Sequence, residues 1–198
     1  MSTGKLVVAV TGASGAIYAQ RFLRKAAAIY DDILLILSDQ ACQVATTELG
    51  VQVNRGPFST LSWLGEELPN IRLLASKDYF TPPASGSFRH DGMVVIPCSM
   101  GTLGRIANGI SDDLLTRSAD VCLKEGRKLI LVPRETPMNL IMLRNLVSVS
   151  EAGATVLPAC PSFYHRPESL EDVADTVVDR VFQALGRPLD SARQWSAE

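Results

Sequence analysis

The apolar run Met93-Val94-Val95-Ile96 breaks at Pro97 into Cys98-Ser99-Met100-Gly101-Thr102-Leu103-Gly104. Four consecutive apolar residues suit a strand buried on both faces. Proline ends such a ladder, and the serine, glycine and threonine that follow open a helix. A turn of this kind aims N–H groups and hydroxyls beyond the carboxyl end of its strand, where open α/β sheets place their ligands. Residues 5–10 run into a second such turn, Thr11-Gly12-Ala13-Ser14-Gly15-Ala16. Two of them in one chain point to an α/β sheet with a nucleotide site built from both.

The rest of the chain alternates in the same way. Apolar strand patterns cover residues 5–10, 33–37, 71–74, 93–96, 128–132 and 155–157. Helical patterns cover residues 16–29, 40–48, 99–107, 114–124, 139–151 and 170–185, and residues 51–63 fit neither period. Valine-, isoleucine- and leucine-rich strands separated by helices predict a doubly wound parallel sheet. The expected fold is a three-layer α/β/α sandwich, flavodoxin-like or Rossmann-like. No repeat or linker divides it, so one domain is expected over residues 1–187, with residues 188–198 as a tail that is mobile or packs on a neighbour.

Charge and cysteine usage narrow the function. Nineteen basic residues against 21 acidic ones, with no basic block, argue against nucleic acid as a partner. Cys42, Cys98, Cys122 and Cys160 lie far apart, which suits reduced thiols better than a disulfide framework or a zinc site. The amino end enters a strand at once, unlike a secretory or transit segment. No apolar run approaches the ~20 residues of a bilayer span. A cytoplasmic protein is expected.

Several constellations carry chemistry. The glycines of Thr11-Gly12-Ala13-Ser14-Gly15 are three apart and lack the dinucleotide spacing G-x-G-x-x-G. They suit a single phosphate, a flavin edge, or a tight turn that packs without a ligand. Residues 99–102 and Ser38 add hydroxyls at other strand ends, and together these turns suit a mononucleotide such as FMN, although Ser99 would also serve as a plain helix cap. Arg134-Glu135 follows the strand at 128–132, where catalytic groups sit in such sheets, or else forms a surface ion pair that caps the next helix. Arg117 and Lys124 share a helix face, which their spacing fits equally to a ligand or to an ordinary solvated surface. Tyr164 and Arg180 suit a phosphate, or else an aromatic plug and a surface cation. His90 and His165 are too isolated for a metal site, and Asp112-Asp113 lacks the second aspartate of an Asp-rich magnesium motif.

Taken together, these motifs resemble the UbiX/Pad-type flavin prenyltransferases, flavoproteins formerly described as aromatic-acid decarboxylases. The likeness runs to about Gly186, in order. It rests on Thr11-Gly12-Ala13-Ser14-Gly15-Ala16, Pro82-Pro83-Ala84-Ser85-Gly86-Ser87 and Pro97-Cys98-Ser99-Met100 through Ile106-Ala107-Asn108-Gly109. It continues in Leu114-Leu115-Thr116-Arg117 through Lys124-Glu125, then Arg134-Glu135-Thr136-Pro137 and Pro161-Ser162-Phe163-Tyr164. The resemblance implies transfer of a dimethylallyl group from dimethylallyl monophosphate to N5 and C6 of reduced FMN, which is a substrate rather than a recycled cofactor. The product would be prenylated FMN, used by a separate UbiD-type decarboxylase. Gly12, Ala13, Ser14, Ser38, Ser99, Met100, Gly101, Thr102 and Arg134 would hold FMN. Arg117, Lys124, Glu135, Tyr164 and Arg180 would surround the donor, with Ser14, Lys124 and Glu135 in catalytic roles and no metal. A homo-oligomer, a dodecamer by resemblance, with sites shared between chains is also implied. The chain departs from the family pattern at Tyr79-Phe80, where many relatives carry tryptophan, and at Asn139-Leu140-Ile141-Met142 in place of Ser-x-Ile-His.

Two other classes stay open on these motifs. Pro137-Met138-Asn139 is similar to a substrate-binding segment of FMN-dependent cysteine decarboxylases of the phosphopantothenoylcysteine type. Those proteins, however, use a histidine early in the chain, and none precedes His90. A non-catalytic FMN carrier would need the flavin turns but not Lys124, Glu135 and Arg180 together.

Overall fold

The computed structural model describes residues 4–53 and 56–189. In chain order the elements are β1 (Lys5–Val10), α1 (Ala16–Ala27), β2 (Asp32–Leu37), α2 (Asp39–Leu49), α3 (Leu61–Leu64) and β3 (Ile71–Leu74). After a 3-10 turn at Pro82–Ala84 come β4 (Gly92–Cys98), α4 (Met100–Ala107), α5 (Leu114–Lys124), β5 (Leu129–Pro133), α6 (Leu140–Glu151), β6 (Thr155–Val156) and α7 (Leu170–Leu185). All recorded strand pairings are parallel, in the order β3-β2-β1-β4-β5-β6. The order reverses between β1 and β4, and a crevice at the carboxyl ends of these two strands is the ligand position of doubly wound sheets.

Alternation within the strands explains why they read as continuous apolar runs. Leu6, Val8 and Val10 face one layer with Phe22 of α1 and Phe182 of α7, whereas Val7 and Ala9 face the other with Leu103 of α4 and Leu115 of α5. Both faces are dry, so no polar position interrupts the strand. Phe22 and Phe182 stack with centroids 4.8 Å apart, which locks α1 against α7. Such a ring pair adds about 1 kcal/mol beyond its buried area.

The observed starts of α4 and α6 fall one residue later than expected, because Ser99 and Asn139 are caps rather than helical residues. Ser99 Oγ accepts the Thr102 N–H at 3.3 Å and Asn139 Oδ1 the Met142 N–H at 2.9 Å. The ambiguous stretch 51–63 contains the start of the four-residue α3, with residues 54 and 55 outside the described set. Strand β4 does not end at Ile96 but runs through Pro97 to Cys98, and its register against β5 shifts between Val95 and Cys98. Pro97 has no N–H to pair, but its carbonyl accepts both the N–H (3.3 Å) and the hydroxyl (2.8 Å) of Thr11. The tail expected from residue 188 lies, from residue 190 on, outside the described residues.

Candidate functional site

Four turns converge at the carboxyl edge of the sheet. Thr11 ties two of them: its hydroxyl donates to Pro97 O and accepts the Ser99 N–H at 2.7 Å. Ser38 N–H bonds Val10 O at 3.1 Å, drawing the β2–α2 turn to the same place. Arg134, just after β5, donates from Nε to the Ser14 carbonyl at 3.0 Å. The expected flavin residues Gly12, Ala13, Ser14, Ser38, Ser99, Met100, Gly101, Thr102 and Arg134 are therefore brought together, with Glu135 adjacent.

Backbone shape makes glycine necessary at two of these positions. Gly15 caps α1 at φ +111°, in the left-handed region. A Cβ on Gly12 would stand 2.3 Å from Gln40 Cβ, so the first turn closes on α2 only without a side chain.

The two helix starts differ in what they offer an anion. At α1, Glu48 from the end of α2 already occupies the amino end, its Oε2 accepting the Gly15 N–H at 2.9 Å and the Ala16 N–H at 2.8 Å. Burial alone would raise the Glu48 carboxyl. The Ser14 hydroxyl, these two N–H groups and the Arg134 charge outweigh it and hold the carboxyl below its ordinary value. A phosphate placed there would meet a carboxylate. At α4, Ser99 caps only the Thr102 N–H, and the first N–H groups of a helix have no partner within it. A Cβ on Gly101 would meet nothing within 4 Å, so the first turn of α4 is open to a ligand. The amides at the start of α4 suit the phosphate of FMN, while the Ser99 hydroxyl donates to Thr102 Oγ1 at 3.1 Å and the Arg134 guanidinium lies at the Ser14 carbonyl, near Glu48. The turn at Gly12–Ser14 is left for the flavin edge. Glu48 escaped the sequence reading because nothing local marks a carboxylate that caps a helix more than thirty residues away.

The residues expected to bind the donor are not assembled in one protomer. Lys124 closes α5, with Nζ 2.5 Å from Glu125 Oε1. Arg117, on the same helix, donates to Ala84 O (3.2 Å) and pairs with Asp120 (2.8 Å). Helix α5 packs on the sheet face of Val7 and Ala9. Arg180 lies on α7, which packs on the opposite face, and it borders a groove of about 400 Å³ with Arg21, Lys25, Ser162, His165 and Asp175. Tyr164, on the adjoining loop, is 82% exposed. The sheet thus stands between Lys124 and Arg180. Asp112 and Asp113 are both taken by Arg105 (2.7 and 2.9 Å). His90, whose Nδ1 lies 3.0 Å from Gly92 O, sits at the amino end of β4, away from the crevice, so the early histidine of a cysteine decarboxylase has no counterpart here.

A doubly wound sheet with a mononucleotide-phosphate cradle at its switch point defines a flavodoxin-like flavoprotein. Residues 1–182 match the family model described as Flavoprotein. The flavin prenyltransferase UbiX of Pseudomonas aeruginosa is 40% identical over 198 residues, covering 98% of this chain and 95% of that protein. Among solved structures, a dodecameric FMN-dependent UbiX-like decarboxylase from Escherichia coli O157:H7 superposes with a TM-score of 0.85 at 38% identity, covering 98% of this chain and all of that one. AnUbiX (PadA1), in complex with FMN and dimethylallyl pyrophosphate, does so with 0.84 at 36% identity, covering 98% of each. The chain belongs to the UbiX flavin prenyltransferases within the flavoprotein family.

Proposed function

We propose that this chain joins a dimethylallyl group from dimethylallyl monophosphate to N5 and C6 of reduced FMN, giving prenylated FMN for a UbiD-type decarboxylase. The observation that supports this reading is that the residues expected to bind phosphate fall into two separate sets. One is the α4 turn with Arg134, and the other is the set Arg117, Lys124, Tyr164 and Arg180, which different faces of the fold supply. A flavin mononucleotide and a phosphorylated donor need two such sets.

Reduced FMN, once bound, supplies the nucleophile. Breaking an allylic C–O bond leaves a phosphate anion, which Arg180, Lys124 and the Tyr164 hydroxyl stabilise as it departs. Losing one such donor costs roughly 2–4 kcal/mol of barrier. Glu135, half-buried beside Arg134 with Oε1 accepting the Thr136 N–H at 2.9 Å, is the base for the proton that leaves C6. Ser14, bonded to Glu48, orients the crevice side of the flavin turn.

Because Lys124 and Arg180 lie on opposite sheet faces, the donor site is completed by another copy of the chain. The surface of α6 suits such a contact: Leu140, Ile141, Leu143 and Val147 are all exposed. A dodecamer built from the domain of residues 1–187, working in the cytosol, is the assembly we assign.

Anaerobic incubation with reduced FMN and dimethylallyl monophosphate, then mass spectrometry of the flavin, tests the reading. A flavin heavier by one five-carbon unit is expected, and it should form equally well with EDTA present. An unchanged flavin with the monophosphate and with the pyrophosphate would overturn it.

A further inference from the structure

We propose that Gln183 is a positioning residue for Arg180, holding the guanidinium ready for the donor phosphate without cancelling its charge. This rests on the role of Arg180 proposed above. The groove that Arg180 borders is also lined by the carboxylates of Asp172, Asp175 and Asp179. Asp175 is engaged by Arg21 through two contacts, Nε at 2.8 Å and Nη2 at 2.5 Å, and by Lys25 at 3.2 Å. Asp179, the neighbour of Arg180 in the chain, is held by Lys25 at 2.7 Å. Burial would raise the Asp175 carboxyl, but Arg21 and Lys25 outweigh it and keep it ionised and occupied. Arg21 and Lys25 of α1 thus engage Asp175 and Asp179, while Asp172, at the start of α7, accepts the Glu168 N–H at 3.2 Å.

Arg180 instead donates from Nη1 to Gln183 Oε1 at 2.7 Å, three residues on along α7. Arginine has no acceptor, so the amide oxygen must face the guanidinium and the amide nitrogen must face away. The bond fixes one corner of the planar fork. Its remaining N–H groups stay available for two parallel bonds to a phosphate. A neutral acceptor keeps the full positive charge for the incoming anion. A carboxylate at the same place would form an ion pair that the donor must displace.

The experiment compares Gln183→Glu, Gln183→Met and Arg180→Ala in steady-state prenylation, with FMN affinity and Tm measured alongside. Gln183→Glu keeps the length and adds the competing charge. It is expected to raise KM for dimethylallyl monophosphate about fivefold, the strength of an exposed ion pair, with the loss carried by KM rather than kcat. Gln183→Met removes the acceptor without adding charge and should raise KM about twofold, less than a typical hydrogen bond to a charged group because the side chains are open to water. Neither should shift Tm or FMN affinity, as loss of a merely structural contact would. If Gln183→Glu keeps the wild-type KM while Arg180→Ala raises it, the positioning role is wrong and the clamp stands. If Arg180→Ala also behaves as wild type, the clamp and its positioning residue fall together.

Discussion

At the amino end of α1, one carboxylate takes the N–H groups that a phosphate would otherwise meet. Glu48 satisfies the Gly15 and Ala16 N–H groups, so the positive end of that helix is spent on the protein itself. Its carboxyl lies below the ordinary value in the folded chain. The stabilisation is therefore complete above the unfolded value, about 4.3, and is lost as the pH falls through the lower folded one. Glu48→Gln should destabilise the chain by about 0.5 kcal/mol at neutral pH, a surface-discounted helix-end interaction. The Tm difference from wild type should then close on the acid side of that window. A constant difference from neutral pH down to pH 3 would show that shape, not charge, is what Glu48 contributes. Glu135 is the base of the proposed reaction. Glu135→Gln keeps the hydrogen-bonding outline but removes the basic site. Formation of the prenylated flavin should fall about a hundredfold, the usual size of general-base catalysis, with FMN titration unchanged. Full turnover in this variant would assign the proton to the departing phosphate.

The elements show why local reading succeeds where it does. Ser38, Ser99, Asp113 and Ser169 each cap the helix that follows, and such caps are written in the residues themselves. The end of β4 was not legible, because a proline that stops a ladder in isolation is retained here by Thr11, which binds its carbonyl. That partner lies 86 residues away. Helix α6 is the element whose role is least explained by its own protomer: Val149 is its buried residue, and four large apolar side chains stay exposed. Leu143→Glu should place an uncompensated charge in the proposed contact between copies. Light scattering is expected to show a smaller assembly while the circular dichroism of the fold persists. An unchanged mass would move the interface elsewhere.

For the whole molecule, the sheet itself is the barrier that divides the proposed donor site. Lys124 lies on one side and Arg180 on the other, so no side-chain rearrangement within one copy joins them. Lys124→Ala and Arg180→Ala should each be nearly inactive alone. Unfolded together and refolded as mixed oligomers, they should regain activity, since some sites then receive an intact lysine from one copy and an intact arginine from another. Absence of any recovery, with mixed assemblies verified by mass spectrometry, would place both residues in the same copy's site or in none.

The sequence by itself determined the alternation of strands and helices, the parallel sheet and the turns that carry the flavin residues. Each of these is set by side-chain period and capping chemistry within a few neighbouring positions. Only the tertiary structure decided that Glu48 closes the first helix start and leaves the second open. It alone showed that Arg21 and Lys25 of α1 engage Asp175 and Asp179 of α7, and that the sheet separates Lys124 from Arg180. Those outcomes depend on contacts between residues far apart in the chain, and burial and electrostatics act through distance in space, which no local pattern records.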